Sequence, residues 1–175
     1  MALSHTILRG VMEILQVLIL LGVANGAPIV ARGLFSERFN RPLDGGKTFT
    51  DGAPIFGSTK TVRGLLASLL MSAAGAAALG LSASFGAGFA AAAMLGDLFS
   101  SFIKRRIGVA SSGPVTGLDQ IPEALFPALA ALHYLDLGAL DVAIIVTLFF
   151  FLDIAVSPVL YRLRIRKFPE SGPRA

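Results

Sequence analysis

Long apolar segments are the feature that most restricts the fold of this chain. Residues 7–24, 65–96, 121–135 and 142–160 are apolar on nearly every side of a helix, whereas a helix on the surface of a water-soluble domain keeps a polar face. Runs of this length are typical of helices that cross a bilayer. A mean hydropathy of +0.74 agrees with this interpretation, so we predict an all-α integral membrane protein.

Five transmembrane helices are predicted, within one domain that covers residues 1–175. The first is not a signal peptide, because its apolar run is longer than an h-region and Pro28 is followed by further apolar residues. Small residues dominate the second and third helices, which predicts close contact between them. The predicted spans are about residues 5–30, 61–80, 84–106, 121–137 and 141–161.

Basic residues give the chain a net charge of +4, and their positions predict its orientation. Arg9 lies near the start of the first span. The other basic residues lie in or beside the first connection, at the end of the third span or after the last span: Arg32, Arg38, Arg41, Lys47, Lys60, Arg63, Lys104, Arg105, Arg106, Arg162, Arg164, Arg166, Lys167 and Arg174. Five spans place all of these on one side, which the positive-inside rule makes cytoplasmic.

We therefore expect a multi-pass protein of the plasma membrane, with its N-terminus outside and its C-terminus inside. The charge distribution indicates contact with the bilayer and argues against nucleic acid as a partner. Alternating cationic and apolar residues after the last span predict a tail that lies on an anionic membrane surface. Because the chain has no cysteine, disulfides, thiolate metal sites and a cysteine nucleophile are excluded.

A cluster of ionisable residues ends the third predicted span. Asp97, Ser101, Lys104 and Arg105 follow one another at i, i+4, i+7 and i+8, which places them on one helical face. A loop rich in Ser, Gly and Pro then returns Asp119 to the same side. Since an unpaired carboxylate at membrane depth costs about 2.5 kcal/mol or more, this cluster is the candidate functional site.

The connection between the first two spans is rich in glycine turns. Asp-Gly steps at residues 44–47 and 51–52 predict tight turns that let backbone N–H groups approach a ligand. The segment is not a Walker A loop. Gly52 and Gly57 have the required separation, but the lysine comes two residues late, at Lys60, and no buried strand precedes it.

The start of the second span is a candidate phosphate site. Lys60, Thr61 and Arg63 open this helix, with Ser58 or Thr59 predicted as its N-cap. The free N–H groups of a helix start attract phosphate oxygens, and the two cations add charge. Alternatively, this is a capped helix whose cations only contact lipid headgroups.

The acids of this cluster suggest a metal-dependent reaction on phosphates. Asp97 and Asp119 suit Mg²⁺, which binds through one or two carboxylates together with substrate phosphates. Neighbouring cations would neutralise a triphosphate, and such transfers depend mainly on positioning and charge stabilisation. His5 and His133 are predicted on the opposite side of the membrane. An acceptor that is already an ionised phosphate needs no histidine as a general base.

Several motifs in their order resemble the CDP-archaeol synthase family. These are an N-x-x-P segment, PLDGGKTFTDGAPIFGSTKTVRGL, GDLFSSFIKRR and LDQ, and the likeness extends over essentially the whole chain. The resemblance implies transfer of a cytidylyl group from CTP to an isoprenoid ether-lipid phosphate, unsaturated archaetidic acid (digeranylgeranylglyceryl phosphate). The products would be CDP-archaeol and pyrophosphate, and Mg²⁺ would be the cofactor. It also implies a distant relation to bacterial CDP-diacylglycerol synthases.

The resemblance also implies roles for individual residues. Asp97 and Asp119 would be the metal ligands and, with Lys104, the catalytic residues. Asn25, near the inner end of the first span, is a buried amide that must find partners, either structural ones or those of the site. The remaining predicted substrate-binding residues are Asp44, Gly45, Gly46, Lys47, Asp51, Gly52, Lys60, Thr61, Arg63, Ser101 and Arg105. The glycine turns among them would close over the nucleotide.

Two alternative functions can be stated. A CDP-alcohol phosphatidyltransferase would need the pattern D-G-x2-A-R followed by repeated acids, but Asp44-Gly45 is followed here by glycine and lysine. A small ion or solute transporter could use Glu13, Asp97 and Asp153 as a relay. That class favours acids spread through the membrane and two related halves, and the sequence shows no internal repeat.

Overall fold

The computed structural model describes the backbone of residues 2–111 and 113–162, and side chains within residues 8–111 and 113–157. This part of the chain forms five helices and two isolated β-bridges, which confirms the predicted all-α class. The helices are α1 (Ala2–Phe35), α2 (Val62–Ala78), α3 (Ala83–Arg106), α4 (Gln120–Ala131) and α5 (Ala139–Arg162). The predicted cationic tail and the side chain of His5 lie outside the described residues.

Three helices are long and apolar enough to cross a membrane, over Leu8–Phe35, Ala83–Arg106 and Ala139–Ser157. Helix α2 is a shorter apolar helix. Helix α4 has 12 residues and rises about 18 Å, less than the roughly 30 Å of a hydrocarbon core. The prediction of a multi-pass membrane protein is therefore confirmed, but α2 and α4 are shorter than the other three helices.

The predicted helix over residues 121–137 is too long, because α4 ends at Ala131. The chain then turns, and Asp136 adopts a left-handed φ of 51°. Leu135 and Leu137 are nevertheless buried in the core. Their apolar character therefore reflects burial in a turn rather than continuation of the helix.

Helix α1 continues through Pro28 to Phe35, past the predicted end at residue 30. A proline inside a helix has no N–H and leaves the carbonyl four residues earlier without its partner, here that of Ala24. The Ser68 hydroxyl of α2 donates a hydrogen bond to this carbonyl at 2.9 Å. This substitute bond lets α1 extend unbroken, and it brings Arg32 beside the first connection.

Close helix contacts confirm the prediction from the small residues. Gly86 of α3 lies so near the Ser72 carbonyl that a Cβ there would overlap it. Gly96 of α3 approaches the Pro122 carbonyl of α4 in the same way. Both glycines let backbones approach where no hydrophobic force drives helices together in lipid.

The helices form a ring in which each helix packs against the next along the chain and α5 packs against α1. Helix α1 also contacts α3 across the ring. At one end, called the hairpin end, are the short connections 79–82 and 132–138, and the Phe85 and Tyr134 rings stack at 4.0 Å. At the other, called the loop end, are the first loop (residues 36–61) and the second loop (residues 107–119). The site is built at the loop end.

Candidate active site

The Asp44 carboxylate organises the first loop. It is buried and accepts hydrogen bonds from the backbone N–H groups of Gly46, Phe56 and Gly57 at 2.9, 3.0 and 2.9 Å. Burial raises the pKa of Asp44, but these hydrogen bonds together outweigh it, so its pKa lies below the ordinary value. Gly45 and Gly46 supply the left-handed turn, with φ of 61° and 77°. The geometry gives Asp44 a loop-holding role.

The two loops contact each other at Gly57. This residue has φ of 93°, and a Cβ there would overlap the Ser111 hydroxyl of the second loop. The Thr59 hydroxyl also donates to the Ser111 carbonyl at 3.1 Å. A glycine is therefore needed here both for backbone conformation and for close approach.

Arg106 attaches the first loop to the end of α3. Its guanidinium forms an ion pair with Asp51 at 2.7 Å and donates to the carbonyls of Ala53 and Pro54 at 3.1 and 2.6 Å. It also lies 5.0 and 4.7 Å from the ring centroids of Phe49 and Phe102. Arg106 is absent from the predicted site residues. Asp51 and its neighbour Gly52 (φ 81°) shape the turn that this arginine holds.

Asp97 is paired with Lys60. The Lys60 ammonium lies 2.6 Å from both carboxylate oxygens, and the side chains are 22% and 23% exposed. Helix α2 begins just after this lysine, with Thr61 as its N-cap and its side chain accepting from the Gly64 N–H at 3.1 Å. The predicted caps, Ser58 and Thr59, are wrong by a few residues. The predicted cation at the helix start is nevertheless held beside the predicted acid.

Asp119 is paired with Lys104 at 2.6 Å. Lys104 also donates to the Gly113 carbonyl at 3.2 Å, and the Val115 N–H donates to Asp119 at 2.8 Å. These contacts attach the second loop to α3. Asp97 and Lys104 are separated by about 10.5 Å along the helix axis. The structure thus brings both predicted acids to the loop end, each with its own lysine.

The two predicted arginines, Arg63 and Arg105, contact backbone carbonyls. Arg63 is buried and donates to the carbonyls of Ser36 and Arg38 at 2.7 and 2.6 Å. Arg105 is buried and donates to the Ala110 carbonyl at 2.9 Å. Both arginines therefore support loop backbone as they stand. Lys47 is exposed on the first loop.

Ser101 and Asn25 are the two remaining predicted residues. Ser101 is only 2% exposed, on the α3 face between Asp97 and Lys104. Both polar atoms of the Asn25 amide are buried, and neither has a hydrogen-bond partner among the residues whose side chains are described. An unsatisfied buried amide is costly. Asn25 is accordingly a polar group of α1 whose hydrogen-bonding capacity is not used by the described residues.

A second polar link connects α5 to the second loop. Gln120 is buried, and its amide donates to the Asp153 carboxylate at 2.8 Å. The Gln120 carbonyl oxygen accepts from the Gly117 N–H, also at 2.8 Å. Asp153 therefore holds the loop that precedes α4 through Gln120.

Two adjoining cavities open at the loop end. The boundary pocket, of about 240 Å³, lies between the end of α1, the start of α2 and α3. Its polar lining includes Arg32, Asn40, Lys60, Arg63 and Asp97, and its apolar wall is Pro28, Leu65, Met94 and Leu98. The loop cleft, of about 220 Å³, is lined by Pro42, Asp44, Gly46, Pro54, Gly57, Ser58 and Ser111. Ser58 lines both cavities.

Arg32, Asn40 and Ser58 are absent from the predicted substrate-binding residues. For Arg32 a signal existed, because it follows Asn25 by seven residues and Pro28 by four. This spacing places the three on one side of a helix, provided that the helix continues past the proline. Asn40 and Ser58 lie in loops, where the spacing of residues does not predict which way a side chain points.

At the loop end, Asp97 is the acid that a magnesium ion could reach from the boundary pocket. Asp97 lines the boundary pocket with a partly exposed carboxylate. Within the described part of the chain, no group of three or more His, Cys, Asp or Glu residues gathers to hold a metal. A site here would need further ligands from phosphate oxygens, which is how Mg²⁺ usually binds.

Comparison with known proteins places the chain in a family. A family model described as "CarS-like: CDP-archaeol synthase" matches residues 77–169. The chain belongs to the CDP-archaeol synthase family. A CDP-archaeol synthase of Saccharolobus solfataricus is 34% identical over 156 residues, which are 84% of this chain and 89% of the relative. One from Hyperthermus butylicus is 38% identical over 128 residues, 69% of this chain and 70% of the relative.

A solved structure also matches the fold of the present chain. It is described as an intramembrane enzyme for archaeal membrane lipids biosynthesis. The TM-score is 0.68 at 29% identity, and the match covers 82% of this chain and 91% of the other. The expected resemblance and the expected membrane fold are both confirmed.

The transporter alternative is not favoured. Its three acids do not form a relay, because Glu13 pairs with Arg9 at 2.9 Å, Asp97 with Lys60 and Asp153 with Gln120. Each acid thus has a separate partner. The phosphatidyltransferase alternative is likewise disfavoured by the family membership.

Proposed function

We propose that this enzyme transfers a cytidylyl group from CTP to unsaturated archaetidic acid, forming CDP-archaeol and pyrophosphate. The observation that carries the proposal is the pair of adjoining cavities at the loop end. The loop cleft is built by residues of the two loops, whereas the boundary pocket is lined by cations and by an apolar wall formed by the helices. This reaction must bring a water-soluble nucleotide and a lipid phosphate together, and two cavities of these kinds suit the two substrates.

The residues support in-line transfer. A phosphate oxygen of the lipid would attack the α-phosphorus of CTP, and the bond from that phosphorus to the oxygen bridging to the β-phosphorus would break. Pyrophosphate leaves with that bond pair. An ionised phosphate needs no general base, so positioning and charge stabilisation by Lys60 and Lys104 are the main requirements.

We propose Mg²⁺ as the cofactor, held by Asp97 and Asp119 together with triphosphate oxygens. When bound, such an ion neutralises phosphate charge. The two lysines now paired with these carboxylates would then be available to contact phosphate oxygens. Gly46 lines the loop cleft, and with its neighbours Gly45 and Lys47 it would close over the nucleotide.

We also propose that the loop end faces the cytoplasm across the plasma membrane, where CTP is available. The concentration of cations at this end supports that orientation. Because the chain lacks cysteine, a thiol reagent can react only with a cysteine introduced by mutation, so its labelling reports the orientation. Arg41→Cys at the loop end should react in intact cells only with a membrane-permeant thiol reagent. Ser84→Cys at the hairpin end should react with an impermeant one, and the reverse pattern would contradict the orientation.

The activity is tested with the full chain in nanodiscs, supplied with CTP, Mg²⁺ and the lipid phosphate. CDP-lipid and pyrophosphate should appear in equal amounts, and chelation of the metal should stop both. Asp97→Asn and Asp119→Asn should each lower kcat about 100-fold or more, with folding checked by Tm. If neither product forms with the wild-type protein, the proposed reaction is wrong. If both variants keep full turnover, the metal assignment is wrong.

A further inference from the structure

Arg32 differs from the other cations of the boundary pocket, because no residue in the described part of the chain is its partner. Lys60 is paired with Asp97, and Arg63 donates to two loop carbonyls. For Arg32, which is exposed and lines the same pocket, the described residues supply neither an ion pair nor a hydrogen bond. Its guanidinium is therefore the positive charge in this pocket that remains for an incoming anion.

The surroundings of Arg32 indicate where that anion comes from. Arg32 lies in the last turn of α1, within a helix long and apolar enough to cross a membrane. Val30, Leu34 and Phe35, in the same turns, are 48%, 74% and 46% exposed, as expected of a surface that faces lipid. Arg32 thus lies where an apolar helix surface meets a polar pocket. It lines the boundary pocket and not the loop cleft.

We propose that Arg32 binds the phosphate of the lipid substrate and positions it in the boundary pocket while the isoprenoid chains stay in the bilayer. This inference rests on the proposed function. A guanidinium suits the role because its planar donors match two oxygens of one phosphate group, and because it stays charged near a bilayer. The apolar wall of Pro28, Leu65 and Leu98 would contact the glycerol and the first carbons of the chains.

Steady-state kinetics of the full chain in nanodiscs test the assignment, with lipid phosphate and CTP varied separately. Arg32→Met should raise KM for the lipid phosphate about tenfold or more, the loss expected for one charge-assisted contact. KM for CTP and Tm should stay unchanged. Arg32→Lys, which keeps the charge and loses the planar fork, should fall between Arg32→Met and the wild type.

Arg41→Met is the matched control, because it removes one exposed cation of the first loop that lines neither cavity. It should leave both KM values unchanged. An equal rise in this control would show that surface charge, and not a specific contact, is responsible. A rise in KM for CTP alone with Arg32→Met would assign the residue to the nucleotide, and no change in either KM would also overturn the proposal.

A direct binding measurement distinguishes a lipid phosphate from free inorganic phosphate, and it does not depend on turnover. Dodecyl phosphate, titrated calorimetrically without CTP, should bind the wild type and lose affinity about tenfold in Arg32→Met. Inorganic phosphate should bind far more weakly to both. If Arg32→Met lowers Tm, Arg32→Lys is titrated instead and must show a smaller loss in the same direction. If the wild type makes no CDP-lipid but the dodecyl phosphate result holds, the proposed function fails and the anion site remains.

Discussion

The two ends of the helix bundle are held together by different interactions. At the hairpin end, Leu20, Phe89 and Ile145 are almost fully buried and the Phe85 and Tyr134 rings stack. At the loop end, carboxylates pair with lysines and arginines donate to backbone carbonyls. A ligand cannot replace the buried apolar contacts, whereas lysines and arginines can leave their present partners and contact the phosphate groups of a ligand instead. The division predicts that stability depends mainly on one end and catalysis on the other.

The largest effect on catalysis is expected from Lys60→Met. This change leaves Asp97 without its lysine and removes a charge that phosphate would contact. We expect kcat/KM to fall about 100-fold or more, with little change in Tm because the pair is partly exposed. Activity within a few-fold of the wild type would break the proposed link between this ion pair and the reaction.

Phe89→Ala should have the opposite profile. Phe89 is 2% exposed in the core at the hairpin end, and truncation of a buried phenylalanine typically costs about 3–5 kcal/mol. We expect a clear fall in Tm while the folded fraction keeps its KM for CTP. A change in KM for CTP at low temperature, where the protein is folded, would show that the two ends are coupled.

Gly57→Ala should impair the contact between the loops by an intermediate amount. The new methyl group would meet Ser111, and the φ of 93° disfavours alanine. We expect kcat/KM to fall about tenfold. Gly88→Ala is the control, because nothing lies within 4 Å of its Cβ position, and it should leave activity unchanged. Equal effects of the two changes would count against the loop contact.

Asp153 should give the smallest effect, since it acts through Gln120 on the second loop. Asp153→Leu removes the acceptor and should lower kcat a few-fold, with little change in KM for CTP. Asp153→Asn keeps a carbonyl oxygen for the Gln120 amide and should retain activity. If Asp153→Asn were as impaired as Asp153→Leu, the negative charge itself would be required, and positioning would not explain the residue.

The sequence by itself determined the all-α membrane class, the number of helices, the family and the two charged loops. Hydropathy and motif order are read along the chain and do not depend on which helices contact each other. Tertiary structure decided the partners. The pairing of Lys60 with Asp97 and of Lys104 with Asp119 depends on helix rotation and on close approaches at Gly57, Gly86 and Gly96. The same holds for Arg32, which has no partner among the described residues. Tertiary structure also decided that α1 continues past Pro28, because the bond that permits this comes from Ser68 of another helix. Spacing along one chain shows which residues share a face, but not which neighbour that face meets.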